Sequence, residues 1–149
     1  MAERQGPTRG FIATAEAWDD EMADRIDRHR CERGAGWTTM DAPLDIVSAL
    51  KEANGRTDAC VVDCLTLWLS NLMHAERDVE KETRVLCETI ALMETPVILV
   101  SNEVGLGIVP DTPLGREFRD AQGRLNQAVA ACCDHVDFMA AGLALSMKP

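Results

Sequence analysis

The stretch ACVVDCLTLWLS, residues 59–70, decides the fold of this chain. Its first part is apolar and β-branched over the length of a strand, ends on the acidic Asp63, and passes directly into a helical pattern. A strand apolar throughout must be covered on both faces, which is the condition of a parallel sheet. Working outward, strand-length runs at 11–15, 96–101 and 136–140 share the character of 59–64, and helical patterns at 20–32, 43–54, 65–76, 79–93 and 113–133 lie between them. Strand then helix, repeated, predicts an α/β fold: a parallel sheet with helices on both faces and right-handed crossovers. With 149 residues, 46% of them hydrophobic, and no internal repeat or linker, the chain is expected to form one domain over 1–149.

The six cysteines, Cys31, Cys60, Cys64, Cys87, Cys132 and Cys133, include no C-x-x-C pair and no histidine at zinc spacing, so they read as buried thiols of a reducing cytosol. The first ten residues, MAERQGPTRG, hold no apolar core of signal-peptide length, and no stretch reaches the roughly 18 apolar residues of a membrane span. A cytoplasmic protein without a membrane span is expected. The net charge of −10 opposes binding to nucleic acid, whose phosphates demand a basic face. With only three lysines, Lys51, Lys81 and Lys148, an anionic small molecule must be held by arginines, backbone amides or a metal ion.

Ligands of open parallel sheets gather beyond the carboxyl ends of the strands. Polar residues stand there: Thr14, Ala15 and Glu16; Asp63 to Thr66; Ser101, Asn102 and Glu103; then the loop 104–110. Asp63 reads either as the strand-tip acid that orients a magnesium-bound nucleotide or as a cap for the next helix. His29 falls on the sheet-facing side of its helix, among Arg25, Arg28, Arg30 and Arg33, so it is either a hydrogen-bonded core residue or a nucleophile on phosphorus with arginines holding the phosphates. Gly105 and Gly107 lack the Lys-Ser/Thr ending of a Walker loop, which leaves a flexible connection or a substrate-covering loop. In the last helix, Thr112 is placed as N-cap and Pro113 at the first position. Leu114, Phe118, Ala121, Leu125, Val129 and Cys132 form a stripe expected to pack on the sheet. Arg116, Arg119, Asp120, Gly123 and Asn126 lie opposite, as a solvated face or as an anion or subunit contact.

In order along residues 11–148, the blocks FIATA, DDEMADRIDRHR, Trp37 with Thr39, VVDCLTLWLSNL, SNEVGLGIVPDTPLGREFRDAQGRLNQAVA and AAGLALSMK resemble the bifunctional adenosylcobinamide kinase / adenosylcobinamide-phosphate guanylyltransferase family of cobalamin assembly. The resemblance implies a P-loop-NTPase-like fold assembled as a homotrimer. It implies phosphorylation of adenosylcobinamide by ATP or GTP with Mg²⁺, then transfer of GMP from GTP to adenosylcobinamide phosphate, giving adenosyl-GDP-cobinamide, with no permanently bound cofactor and no protein metal site. By the same resemblance His29 carries GMP covalently, and Arg30, Cys31, Glu32 and Arg33 contact the guanine nucleotide. Thr14, Ala15 and Glu16 match a second nucleotide-contacting stretch, Asp63 matches the acidic strand tip, and Asp41 stands where a longer glutamate is common.

The family opens with a strand and a G-x-x-x-x-G-K-[ST] loop, and the 149 residues contain neither. MAERQGP reads as the end of the helix that follows such a loop, so a start upstream, with Met1 internal, is expected. With Met1 as the true start, the sheet would lack its first strand and phosphate-binding loop. The alternative reading is then a catalytically inactive remnant that binds corrinoid or joins full-length subunits.

Overall fold

The computed structural model describes residues 2–16, 24, 28 and 34–149. Four strands, β1 (Arg9–Ala13), β2 (Trp37–Asp41), β3 (Ala59–Asp63) and β4 (Val97–Val100), form one sheet in the order β2-β1-β3-β4, every neighbour pair parallel. The α-helices that lie wholly among the described residues are α1 (Ile46–Ala53), α2 (Leu65–His74), α3 (Val79–Ile90) and α4 (Pro113–Cys132). A hairpin, β5 (Val136–Ala140) and β6 (Leu143–Lys148), closes the chain.

Local chemistry sets these boundaries. Asp45 caps α1 by accepting Ser48 N–H at 3.1 Å, Asp78 caps α3 through Lys81 N–H at 3.0 Å, and Thr112 caps α4 through Gly115 N–H at 3.1 Å. Pro113 occupies the first turn of α4, as its sequence position predicts. At the start of β1, Asp58 accepts both Thr8 N–H (2.8 Å) and the Thr8 hydroxyl (2.6 Å). These bonds hold its carboxyl below the usual range.

Among the described residues, the main hydrophobic cluster lies on one face of the sheet. Ile12, Cys60 and Val62 are buried there, Met40, Val97 and Leu99 pack beside them, and Leu50, Leu65, Trp68, Leu69, Leu86 and Leu125 cover them from the helices. Each such fully buried aliphatic side chain stabilises the fold by about 1.5–3 kcal/mol relative to exposure. Trp68 is fully buried and its indole N–H donates to Leu44 O at 2.8 Å, tying α2 to the loop after β2. Gly10 is the residue of close approach: a Cβ there would stand 3.2 Å from both Cys60 Sγ and Met40 Cε. The opposite face carries the edge-on pair Phe11 and Trp37 (6.0 Å between centroids) with Val61 and Ile98 half-buried. The helix expected over 20–32 lies outside the described residues apart from Asp24 and Arg28, which are helical and exposed.

Two expectations need correction, and one strand is not among those expected. The run 136–140 is a strand, but it pairs antiparallel with β6 instead of joining the parallel sheet. The reason is local: Ala141 (φ 52°) and Gly142 (φ 77°) both adopt positive φ, which makes the two-residue turn that folds a strand back on its neighbour. The segment Trp37–Asp41 is a strand at the sheet edge that the apolar pattern does not announce, because only Trp37 and Met40 are apolar in it. In α4, Ala121, Leu125 and Val129 are buried as expected, but Leu114 is 62% exposed and the helix lies against α3 and α2.

Candidate functional site

Parallel register brings the strand tips level. Ala13 of β1 pairs with Asp41 on one side and Asp63 on the other, and Asp63 pairs with Val100. The two carboxylates therefore flank β1 two strand spacings apart, ~10 Å. Both residues are exposed. The N-cap of α2 is Cys64 and it makes no side-chain cap bond, so Asp63 does not serve as a helix cap. Asp41 opens onto a cleft of about 550 Å³ lined also by Ala42, Pro43, Leu44, Ser48 and Glu52.

Thr14 is fully buried. Its hydroxyl accepts Cys64 N–H at 2.8 Å and donates to Cys64 O at 2.8 Å, and its own N–H donates to Asp63 O at 3.2 Å. Asn71, buried on α2, donates to Thr14 O (2.8 Å) and to Pro43 O (2.9 Å). One amide thus joins the tip of β1, helix α2 and the loop that follows Asp41. Ala15 and Glu16, half-exposed, continue from this fixed point toward the edge of the site. His29, Arg30, Cys31, Glu32 and Arg33 lie outside the described residues.

Beyond β4 a second network fixes the loop stem. Ser101 Oγ donates to Asn126 Oδ1 (2.7 Å), while the buried Gln122 donates from Nε2 to Ser101 Oγ and Asn126 Oδ1, each at 2.9 Å. Asn126 in turn donates to Asn102 O (3.1 Å), and Asn102 N–H donates to Thr66 Oγ1 (2.9 Å), beside Asp63. Arg116 is committed to the loop's far end, donating to Pro110 O (3.0 Å) and Asp111 O (2.8 Å). Arg119 lies 3.3 Å from Asp120. Asn71 and Gln122 escape sequence reasoning; their one signal is a polar side chain on the buried side of a helix.

Acidic strand tips, a rigid polar scaffold beneath them and a loop above, all at the carboxyl end of a parallel sheet, define an α/β enzyme of the nucleotide-using kind. Comparison with known proteins specifies it. The family model described as cobinamide kinase / cobinamide phosphate guanyltransferase matches residues 1–147. The bifunctional adenosylcobalamin biosynthesis protein CobP of Pseudomonas aeruginosa is 40% identical over 150 residues, 99% of this chain and 87% of that protein. The corresponding CobU of Salmonella typhimurium is 34% identical and that of Escherichia coli 31%, each over 93% of this chain and 84% of the relative. The chain belongs to the cobinamide kinase / cobinamide phosphate guanyltransferase family.

Proposed function

We propose that this protein phosphorylates adenosylcobinamide and then transfers GMP from GTP to the product, through a guanylylated His29. Family membership over almost the whole chain carries this reading. In the transfer, an imidazole nitrogen of His29 attacks the α-phosphorus of GTP, a P–N bond forms, and the bond to the bridging oxygen breaks to release pyrophosphate. A phosphate oxygen of adenosylcobinamide phosphate then attacks the same phosphorus. The P–N bond breaks, and the imidazole is regenerated.

Arg30, Cys31, Glu32 and Arg33 follow the nucleophile as its nucleotide contacts. Ala15, Glu16 and Asp41 border the nucleotide from β1 and β2, and Thr14 positions that edge from below. Asp63 suits Mg²⁺, which takes one or two carboxylates and completes its shell with substrate phosphates and water. The observation supporting this role is an exposed strand-tip carboxylate with no helix to cap. When bound with the nucleotide, the ion neutralises charge developing on the phosphates. We place the enzyme in the cytoplasm as a homotrimer using ATP or GTP as phosphoryl donor.

Incubation with α-phosphate-labelled GTP and Mg²⁺ tests the reading. Acid-labile, base-stable label on the wild type and none on His29→Ala is the expected result; equal label on both would overturn it. A second reading is a non-catalytic corrinoid-binding or subunit-joining chain, for which β4, pairing on one side only among the described residues, offers an edge to a partner. Binding of adenosylcobinamide by a chain that takes no label and binds no GTP would select that second reading.

A further inference from the structure

Asn102, just past the Val100 that pairs with Asp63, is held by its backbone from both sides. Its N–H donates to Thr66 Oγ1 on α2 (2.9 Å), and its carbonyl accepts from Asn126 Nδ2 on α4 (3.1 Å). Asn126 is itself fixed, because its Oδ1 accepts both the Ser101 hydroxyl (2.7 Å) and Gln122 Nε2 (2.9 Å). That pattern suits one orientation of the Asn126 amide, oxygen toward Ser101 and nitrogen toward Asn102. Gln122 is fully buried, and its Oε1 meets no hydrogen-bond donor among the described residues. A buried acceptor left unsatisfied costs stability, and here it accompanies the anchoring of an exposed loop stem.

The chemistry of the strand tips selects what Asn102 does. Asp41, Asp63 and Glu103 can only accept hydrogen bonds when ionised, and the hydroxyls of Thr14 and Ser101 already donate to Cys64 O and Asn126 Oδ1. The side chain of Asn102 is exposed, and no described residue takes up the N–H hydrogens of its amide. A phosphate group entering beside Asp63 needs donors, and a neutral amide supplies them where carboxylates cannot. We infer that Asn102 is a further substrate-contacting residue, its side-chain amide donating to a phosphate oxygen of the nucleotide, and that Asn126 is the positioning residue that keeps it beside Asp63. The assignment rests on the function proposed above.

Single-turnover labelling of the full chain by α-phosphate-labelled GTP, with competition binding of GTP and of guanosine, tests both roles. Asn102→Ala should slow labelling about 10–100-fold, the worth of one hydrogen bond to a charged group, and weaken GTP while leaving guanosine, which carries no phosphate, unchanged. Its urea midpoint should stay at the wild-type value, since the side chain removed is exposed. Asn126→Asp keeps both accepted bonds and loses the one to Asn102 O, so it should slow labelling in the same way and add nothing once Asn102 is alanine. Should the alanine variant not fold, Asn102→Asp, which keeps the side chain's shape and loses its donors, reads the same contact. Labelling within about threefold of wild type in Asn102→Ala, or equal loss of GTP and guanosine affinity, overturns the contact. Losses that multiply in the Asn102→Ala, Asn126→Asp double variant overturn the positioning role. A wild-type chain that takes no label overturns the functional reading itself, and the ratio of GTP to guanosine affinity then still decides the contact.

Discussion

Replacing Thr14 by valine preserves the shape of a fully buried side chain and removes only its hydroxyl, so it isolates the link between the tips of β1 and β3. In the wild type that hydroxyl serves both backbone groups of Cys64, each at 2.8 Å. Cys64 O keeps a partner, because Trp68 N–H also donates to it at 3.1 Å. Cys64 N–H does not. An orphaned buried N–H costs about 1–3 kcal/mol, and the lost bond to the carbonyl adds about 0.5–1.5 kcal/mol, so Thr14→Val should destabilise the chain by about 2–4 kcal/mol. Thr14→Ser keeps both bonds and gives up a methyl group, which costs about 1 kcal/mol. Urea denaturation followed by tryptophan fluorescence, with the slope unchanged between variants, reads both values. If valine and serine destabilise equally, or if valine costs under about 0.5 kcal/mol, the hydrogen bonds do not carry the link.

Further outcomes follow from the same geometry. Asp63→Asn should leave the fold intact and lower GMP transfer by about 100-fold or more; transfer within threefold of wild type would remove the carboxylate from the site. The carboxyl of Asp58 is held below its usual 3.8 by the two bonds from Thr8. A depressed folded-state value adds stability above the unfolded pKa and loses it as pH falls, so the chain should weaken below about pH 3.8. Asp58→Asn should flatten that acid limb in thermal melts, and an identical acid limb would count against the clamp. Burial pushes the Cys60 thiol up to about 11, and burial with Cys132 alongside pushes Cys87 up to about 12. At pH 8 both should alkylate with iodoacetamide at least about 100-fold more slowly than a free cysteine, as mass spectrometry of the native protein would show.

Much of the fold is legible because burial writes itself into composition. The runs around β1, β3 and β4 are apolar on both faces, and the helices between them appear with their caps, as at Thr112 and Pro113. Edge elements are harder to read. Trp37–Asp41 has one neighbouring strand and exposed Thr38 and Asp41, so it lacks the continuous hydrophobicity that marks a central strand. The hairpin was hidden because pairing direction depends on a turn, and Ala141-Gly142 carries only half of a glycine-rich turn signal. At the site, Asp63 is visible as an acid ending an apolar run, yet only the structure shows that it caps nothing. Thr14 belongs to a stretch that resemblance assigns to nucleotide contact, while its buried hydroxyl is satisfied by Cys64. Spacing alone does not separate a residue that touches a ligand from one that holds the neighbour that does.

The attachment of the hairpin gives the molecule two stabilities instead of one. Lys148 at its end donates to Ala130 O (3.4 Å), Ala131 O (3.2 Å) and Cys133 O, closing the carboxyl end of α4, while Met139, Leu143, Leu145 and Met147 face solvent. A cation on the last carbonyls of a helix is worth about 0.3–1 kcal/mol, far less than the burial that holds β1 and β3. Amide protons of β5 and β6 should therefore exchange with solvent through a local opening that leaves the parallel sheet closed. Those of Ile12 and Val62 will wait for the whole domain to unfold.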